Sequence, residues 1–337
     1  MKKYFEEIDI SKGIAILLVI LGHSFSTAPI NLFEQLTIFG DIVRSFQMQL
    51  FFFVSGFLFY INQNLKDFLI KKSQRLLIPY LAFSIITIIL KLFFNNFTHS
   101  EKVNINILLP GLIYGGFYWY LYVLFGYMIF TKLFKNLYII SFISLVTIII
   151  WIIFPLKDIL YITSWRAIYF YPFFVLGFIV KPYYEKFSFP FGNIWLLFAL
   201  IILYFMNFLI RENKIIESYI IPLIGILFVL GLSVRIMEFN STRDNNNFPK
   251  IKNVKSVGIF KKFFKFMGKY SLQFYLNHLL IISPCYFLPF LLNINSPLPS
   301  LFIVFFTAII LSYFMLLIEK RFIFTRMISG LPFNRNS

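Results

Sequence analysis

The 337-residue chain contains three histidines, and one of them closes the segment IDISKGIAILLVILGH, Ile8 to His23. Imidazole changes charge near neutral pH, so it can take a proton from a hydroxyl or carry an acyl group itself. The same segment holds Asp9 and Lys12, three residues apart and therefore on one face of a helix. His23 lies fourteen residues beyond Asp9, about 21 Å further along at 1.5 Å per residue. An ionisable group inside an apolar helix costs roughly 2.5–3.5 kcal/mol at a bilayer centre, so such groups face a bundle interior or a wet cavity. A helix carrying three of them is a candidate for the seat of the chemistry.

Other polar residues fall into two sets by position along the chain. Arg44 and Gln47, three apart in FGDIVRSFQMQLFFFVSGFLFY, share a face, and Trp119 and Arg166 open later apolar stretches. Together with His23 they form one set. The second set holds Lys71, Lys72 and Arg75 in KKSQR, which fall on one turn, with Asp9, Lys12, Gln273, Asn277 and His278. Three cations on a turn would meet an anionic, phosphorylated donor through two point charges and one guanidinium fork. Simpler readings stand beside these: Trp119 and Trp165 as interfacial aromatics, the basic turn as topogenic charge, His278 as a histidine satisfied by its neighbours. His99, in FNNFTHSEK, reads as a solvated loop residue. There is no HExxH, CxxC, glycine-rich phosphate loop or acidic metal cage, so no metal is expected.

The elements that must position these residues follow from composition. Hydrophobic residues make up 59% and charged residues 13%, against roughly 25% charged in soluble domains. The chain is therefore expected to be an all-α, polytopic membrane protein. Apolar segments occur at 9–25, 38–60, 76–94, 117–134, 137–154, 166–180, 193–210, 219–238, 270–292 and 299–318, about ten transmembrane helices. The glycine- and proline-bearing stretch 107–116 is a candidate re-entrant segment. With the N-terminus inside, 22 lysines and arginines fall on inner segments and 5 on outer loops, which places both termini in the cytoplasm. On that topology His23, Arg44, Gln47, Trp119 and Arg166 share the outer half, and the basic turn faces the cytoplasmic mouth. The net charge of +17 then meets anionic lipid headgroups, with no nucleic-acid partner expected. Glu6, Glu7 and Asp9 sit where a signal peptide is basic, so the first helix is expected to be retained. Residues 1–337 read as one integral-membrane domain. Its loop 239–269 is basic and partly amphipathic, and its second half, GIFKKFFKFMG, is expected to lie on the inner leaflet. The lone Cys285 excludes a disulfide within the chain.

The segment IDISKGIAILLVILGH resembles the first-helix signature of the acyltransferase-3 family of integral-membrane O-acyltransferases: an acidic residue, a basic residue, then an apolar run closed by Gly-His. FFFVSGFLF, FLIKKSQRLLIPY, YWYLYVLFGY, WRAIYFYPFFVLGF, GKYSLQFYLNH and IEKRF follow in that family's order. The likeness is to the stand-alone, sugar-modifying branch. Family members commonly carry arginine where this chain has Lys71-Lys72. The resemblance implies transfer of an acyl group, usually acetyl from acetyl-CoA, to a hydroxyl of a cell-envelope polysaccharide or lipid-linked saccharide. The location would be the inner (cytoplasmic) membrane, with acyl-CoA as co-substrate and no permanently bound cofactor. It implies catalytic roles for His23, Arg44 and Asp9, donor binding by Lys12, Lys71, Lys72, Arg75 and His278, and an acceptor side at Gln47, Trp119 and Arg166. His23 as general base and His23 as acyl carrier both remain open. A polytopic transporter or flippase of a glycan or small anion is the competing reading, since buried charges at two depths also suit an alternating-access path.

Overall fold

The computed structural model describes residues 5–26, 34–62, 64–93, 105–186, 198–199, 201–205, 213–238, 254–285, 287–294 and 296–332. Among them every regular element is helical, and there is no strand. Five helices are long and apolar enough to cross a membrane: Leu65–Phe93, Ile162–Tyr184, Ile216–Met237, Ser271–Leu291 and Pro297–Arg321. Two shorter apolar helices, Trp119–Phe134 and Leu137–Ile153, accompany them. This is a multi-pass architecture. The expected span 193–210, His99 and the first half of loop 239–269 lie wholly or largely outside the described residues.

The helices used below are α1 (Glu6–Ser24), α2 (Glu34–Arg44), α3 (Gln47–Phe57), α4 (Leu65–Lys72), α5 (Ile78–Phe93), α6 (Ile105–Ile113), α7 (Trp119–Phe134), α8 (Leu137–Ile153), α9 (Ile162–Val180), α10 (Ile221–Glu238), α11 (Val254–Lys269), α12 (Ser271–Cys285), α13 (Pro297–Arg321) and α14 (Ile323–Ile328). Helix α1 is the axis of the bundle and packs against α2, α3, α10, α11, α12 and α13. Its sequence is apolar around the whole circumference, and a helix of that kind is stable only when surrounded. Ile8, Ile10, Ala15, Ile16, Val19 and Ile20 are accordingly buried.

Two features depart from the expectation of simple spans. The stretch 38–60 is not one helix. It breaks at Ser45-Phe46, where Ser45 Oγ turns back to the carbonyl of Ile42 at 2.7 Å, and α3 starts afresh at Gln47. A serine hydroxyl that bonds its own preceding turn competes with the helical ladder, which accounts for the break locally. The stretch before the third expected span is also helical. Helix α4 runs into α5 through one wide π turn, Ser73–Leu77, which carries Arg75. Stretch 107–116 forms the short α6 followed by a turn with Gly115 at φ 76°.

Glycines set the two tightest helix contacts. A Cβ on Gly56 of α3 would collide with the Phe174 carbonyl, and one on Gly177 of α9 with the Phe53 carbonyl. The α3–α9 pair therefore touches backbone to backbone. The pair α1–α11 repeats the device, with Gly13 under the Phe264 carbonyl and Gly268 under that of Asp9. Small residues allow this approach, and membrane helices gain packing through it. The amphipathic segment expected on a leaflet is thus clamped to α1 by one face. Its other face leaves Ile259, Phe260 and Phe263 exposed.

Candidate active site

Gly22 and His23 stand near the C-terminal end of α1, where the break between α2 and α3 reaches them. Arg44, the last residue of α2, donates from Nη1 to the Gly22 carbonyl at 3.1 Å and to Ser26 Oγ at 2.9 Å. Its Nη2 pairs with Asp41 at 2.5 Å. Gln47, the first residue of α3, is buried with its amide against Gly22. A Cβ at Gly22 would lie 2.6 Å from Gln47 Oε1. The helix break is therefore what delivers a guanidinium and an amide to the peptide preceding His23.

His23 is accessible even though helices surround it, so its ring opens into the interior of the bundle. The charges of Arg44 and Arg166 both act on it. Arg166 is half-buried in α9, with its guanidinium 4.5 Å from the centre of the Trp119 ring and 5.3 Å from that of Trp165. No carboxylate pairs with it among the described residues. The His278 ring lies 5.1 Å from that of His23, and the Tyr275 ring 5.6 Å from that of His278.

A second feature begins at the other side of Tyr275. A cavity of about 1100 Å³ is lined by Lys12, Lys71, Lys72, Arg75, Lys269, Lys320, Arg321 and Arg326, and none of its lining residues is Asp or Glu. It exceeds the ~300–1,000 Å³ typical of small-molecule sites. Ser55, Tyr120 and Tyr275 also line it. Ser55 Oγ and Tyr120 Oη are 2.8 Å apart, and the Tyr120 and Tyr275 rings are separated by 5.4 Å. These aromatics partition the cationic cavity from the His23–His278 pair. Arg326 is held by its own surroundings, donating from Nε to the Pro332 carbonyl at 2.9 Å. Lys320 sits 3.7 Å from the centre of the Tyr270 ring.

The structure thus brings together His23, Arg44, Gln47, Trp119 and Arg166 in one cluster, and Lys12, Lys71, Lys72 and Arg75 around one cavity. His278 stands beside His23, apart from the basic turn with which the sequence groups it. Asp9 pairs with Lys12 at 2.5 Å, a helix length away from His23. Lys269, Lys320, Arg321 and Tyr275 were not singled out by sequence reasoning, and Tyr120 stood out only as one of the aromatics that open the fourth expected span. Their signal lay in GKYSLQFYLNH, IEKRF and YWYLYVLFGY, motifs legible as family markers without a depth or a direction.

Membrane-length helices around an ionisable, accessible interior define a multi-pass membrane protein with a site inside the bundle. The chain belongs to the acyltransferase-3 family, whose model, described as an acyltransferase domain, matches residues 5–317. No curated protein and no solved structure matches it.

Proposed function

We propose that the protein is a membrane O-acyltransferase that takes an acyl group, acetyl in the simplest case, from acyl-CoA. The acceptor is a hydroxyl of a cell-envelope polysaccharide or lipid-linked saccharide. The observation that carries this reading is the cation-lined cavity bordered by Tyr120 and Tyr275, one ring contact from His278 and two from His23. Coenzyme A has anionic phosphates at one end and a long uncharged arm at the other. Phosphates among Lys71, Lys72 and Arg75 would leave that arm directed toward the tyrosines and the histidine pair. The charge bias of the loops supports a cytoplasmic mouth for this cavity and a location in the inner membrane.

A sugar hydroxyl holds its proton too tightly to attack a thioester unaided. In direct transfer, His23 takes that proton, the C–O bond forms, the C–S bond breaks, and the departing thiolate recovers the proton from the imidazolium. In the two-step route the imidazole nitrogen attacks the thioester and the C–S bond breaks; the hydroxyl then attacks the acyl-imidazole, the C–N bond breaks, and the hydroxyl proton goes to the released thiolate. Both routes require one bare His23 nitrogen, facing the acceptor hydroxyl in the first and the thioester carbon in the second, and both develop negative charge on the oxygen of the acyl group. Arg166, half-buried and with no paired carboxylate among the described residues, is the guanidinium free to meet that charge. Arg44, already bonded to Asp41, Gly22 and Ser26, holds the peptide that carries His23.

The test is coenzyme A release from acetyl-CoA by purified protein in nanodiscs, with and without saccharide acceptors, for wild type and His23→Ala. Turnover by the wild type, lost in the variant, is expected. Wild-type turnover in His23→Ala would remove His23 from the chemistry. A wild type that neither binds nor turns over any of several acyl-CoAs would favour the transporter reading.

A further inference from the structure

His278 has no part in the chemistry described so far, yet its environment is unusual. It is wholly buried, at 0% exposure, directly behind a histidine that is accessible. Its Nδ1 lies 3.2 Å from the Phe274 carbonyl. A carbonyl can only accept, so Nδ1 carries the hydrogen, and in the neutral ring Nε2 is then a bare acceptor. That Nε2 has no hydrogen-bond partner. A buried acceptor left unpaired is unfavourable and points to a donor that arrives in another state of the site.

The neighbours narrow the choice of donor. From its own helix, α12, the Tyr275 ring faces His278, while the Tyr275 hydroxyl oxygen lies at the Tyr120 backbone and accepts its N–H. The Tyr118 hydroxyl of α7 donates to the Leu276 carbonyl at 3.1 Å, and that of Tyr120 pairs with Ser55. From α2, Arg44 is committed to Asp41, Gly22 and Ser26; from α9, Arg166 lies over Trp119, where its charge acts on His23 and not on His278. The remaining ring in contact is His23 of α1, with centroids 5.1 Å apart and planes inclined by 49°. A centroid separation of 5.1 Å is about that of two imidazoles joined by an N–H···N bond, and hydrogen bonds in unliganded sites commonly tighten to their working geometry.

We propose that His278 is a positioning residue for His23. Its Nε2 accepts the N–H of the His23 ring when donor is seated, and this leaves the opposite His23 nitrogen bare and turned toward the reacting groups. The carboxylate of a Ser-His-Asp triad holds its imidazole in the same manner. Inside a low-dielectric bundle a neutral imidazole does this without burying a second charge. This inference rests on the role assigned to His23 above. It also moves His278 from the donor phosphates, where the sequence groups it, to the reacting centre, although full burial keeps it from touching substrate.

Three substitutions separate positioning from mere packing. In His278→Asn the amide can reach the Phe274 carbonyl, as Nδ1 does, but stops short of His23. In His278→Gln an amide oxygen can stand where Nε2 stands. His278→Leu fills the space with neither. The expected result is coenzyme A release with kcat about 100-fold lower or worse in the leucine and asparagine variants. The glutamine variant should recover to within about 5-fold of wild type, and KM for acetyl-CoA should move less than about 3-fold throughout, on the same transition-state logic. Acetyl-CoA binding and monodispersity of each variant report on folding. Equal activity in the asparagine and glutamine variants, at any level, overturns the proposal. So does a loss expressed chiefly in KM, which would return His278 to the donor. If wild type and all three variants are active, this inference alone falls; if wild type releases no coenzyme A, the acyl-transfer reading falls with it.

Discussion

Gly22 and His23 act as a unit because the residue before the imidazole is where two other helices make contact with α1. The Gly22 carbonyl accepts from Arg44 at 3.1 Å, and the space a side chain would occupy holds the Gln47 amide. A methyl group at Gly22, 2.6 Å from Gln47 Oε1, must push that amide aside. The displacement would be on the order of 1 Å, enough to cost a positioned catalytic group about 10–100-fold. Gly22→Ala is therefore expected to lower kcat for coenzyme A release by about that factor, with KM for acetyl-CoA nearly unchanged. An unaltered kcat would show that Gln47 and Arg44 do not steer His23. Arg166 differs in kind from Arg44. Stacked on indoles and with no paired carboxylate among the described residues, it keeps its charge available for one that develops during reaction.

At the scale of elements, the position of α1 depends on what is clamped to it. Helix α11 meets it backbone to backbone at Gly13 and Gly268, and ion pairs reinforce the start of the contact. Glu6 bonds Lys265 at 2.6 Å and Lys261 at 3.0 Å. Partial burial pushes the Glu6 carboxyl up, but the two lysines outweigh it and hold the group below the ordinary carboxylate range. A carboxyl whose folded value is depressed contributes stability above its unfolded value and loses it as pH falls through the folded one. The paired side chains are 19–36% exposed, so the contribution is small, about 0.2–1 kcal/mol as for surface pairs. Wild-type protein in detergent is expected to melt about 1–2 °C lower at pH 4 relative to pH 7 from this source. Glu6→Gln should remove that increment of pH dependence. An identical pH profile for the variant would mean the lysines do not hold α11 through Glu6.

At the scale of the whole molecule, charge is segregated. Eight basic residues drawn from α1, α4, the π turn after it, α11, α13 and α14 surround one cavity, with no carboxylate among its lining. A cavity lined by eight cations and no carboxylate favours a polyanion that enters it. Lys71→Ala with Lys72→Ala is therefore expected to raise KM for acetyl-CoA about 10-fold or more while kcat moves less than about 3-fold, since the phosphates lie far from the reacting bond. The wild-type KM should also climb between low salt and 0.5 M salt, where screening shortens to a few ångströms. A double variant that lost kcat at constant KM would place these lysines in the chemistry instead.

The amino-acid sequence by itself determined the helical class, because 13% charge and repeated apolar runs admit no soluble packing. It also marked the ionisable residues of α1 and the basic turn, because such residues are costly in an apolar setting and stand out against it. Only the tertiary structure decided which of them meet. Arg44 reaches Gly22 because the helix breaks at Ser45, and the serine turn that breaks it leaves no periodic trace in so apolar a stretch. His278 sits beside His23, and Lys320 and Arg321 join Lys71 and Lys72 at one cavity. The partners in each pair are about 250 residues apart in the chain. Periodicity reports the face of a helix but not its neighbours.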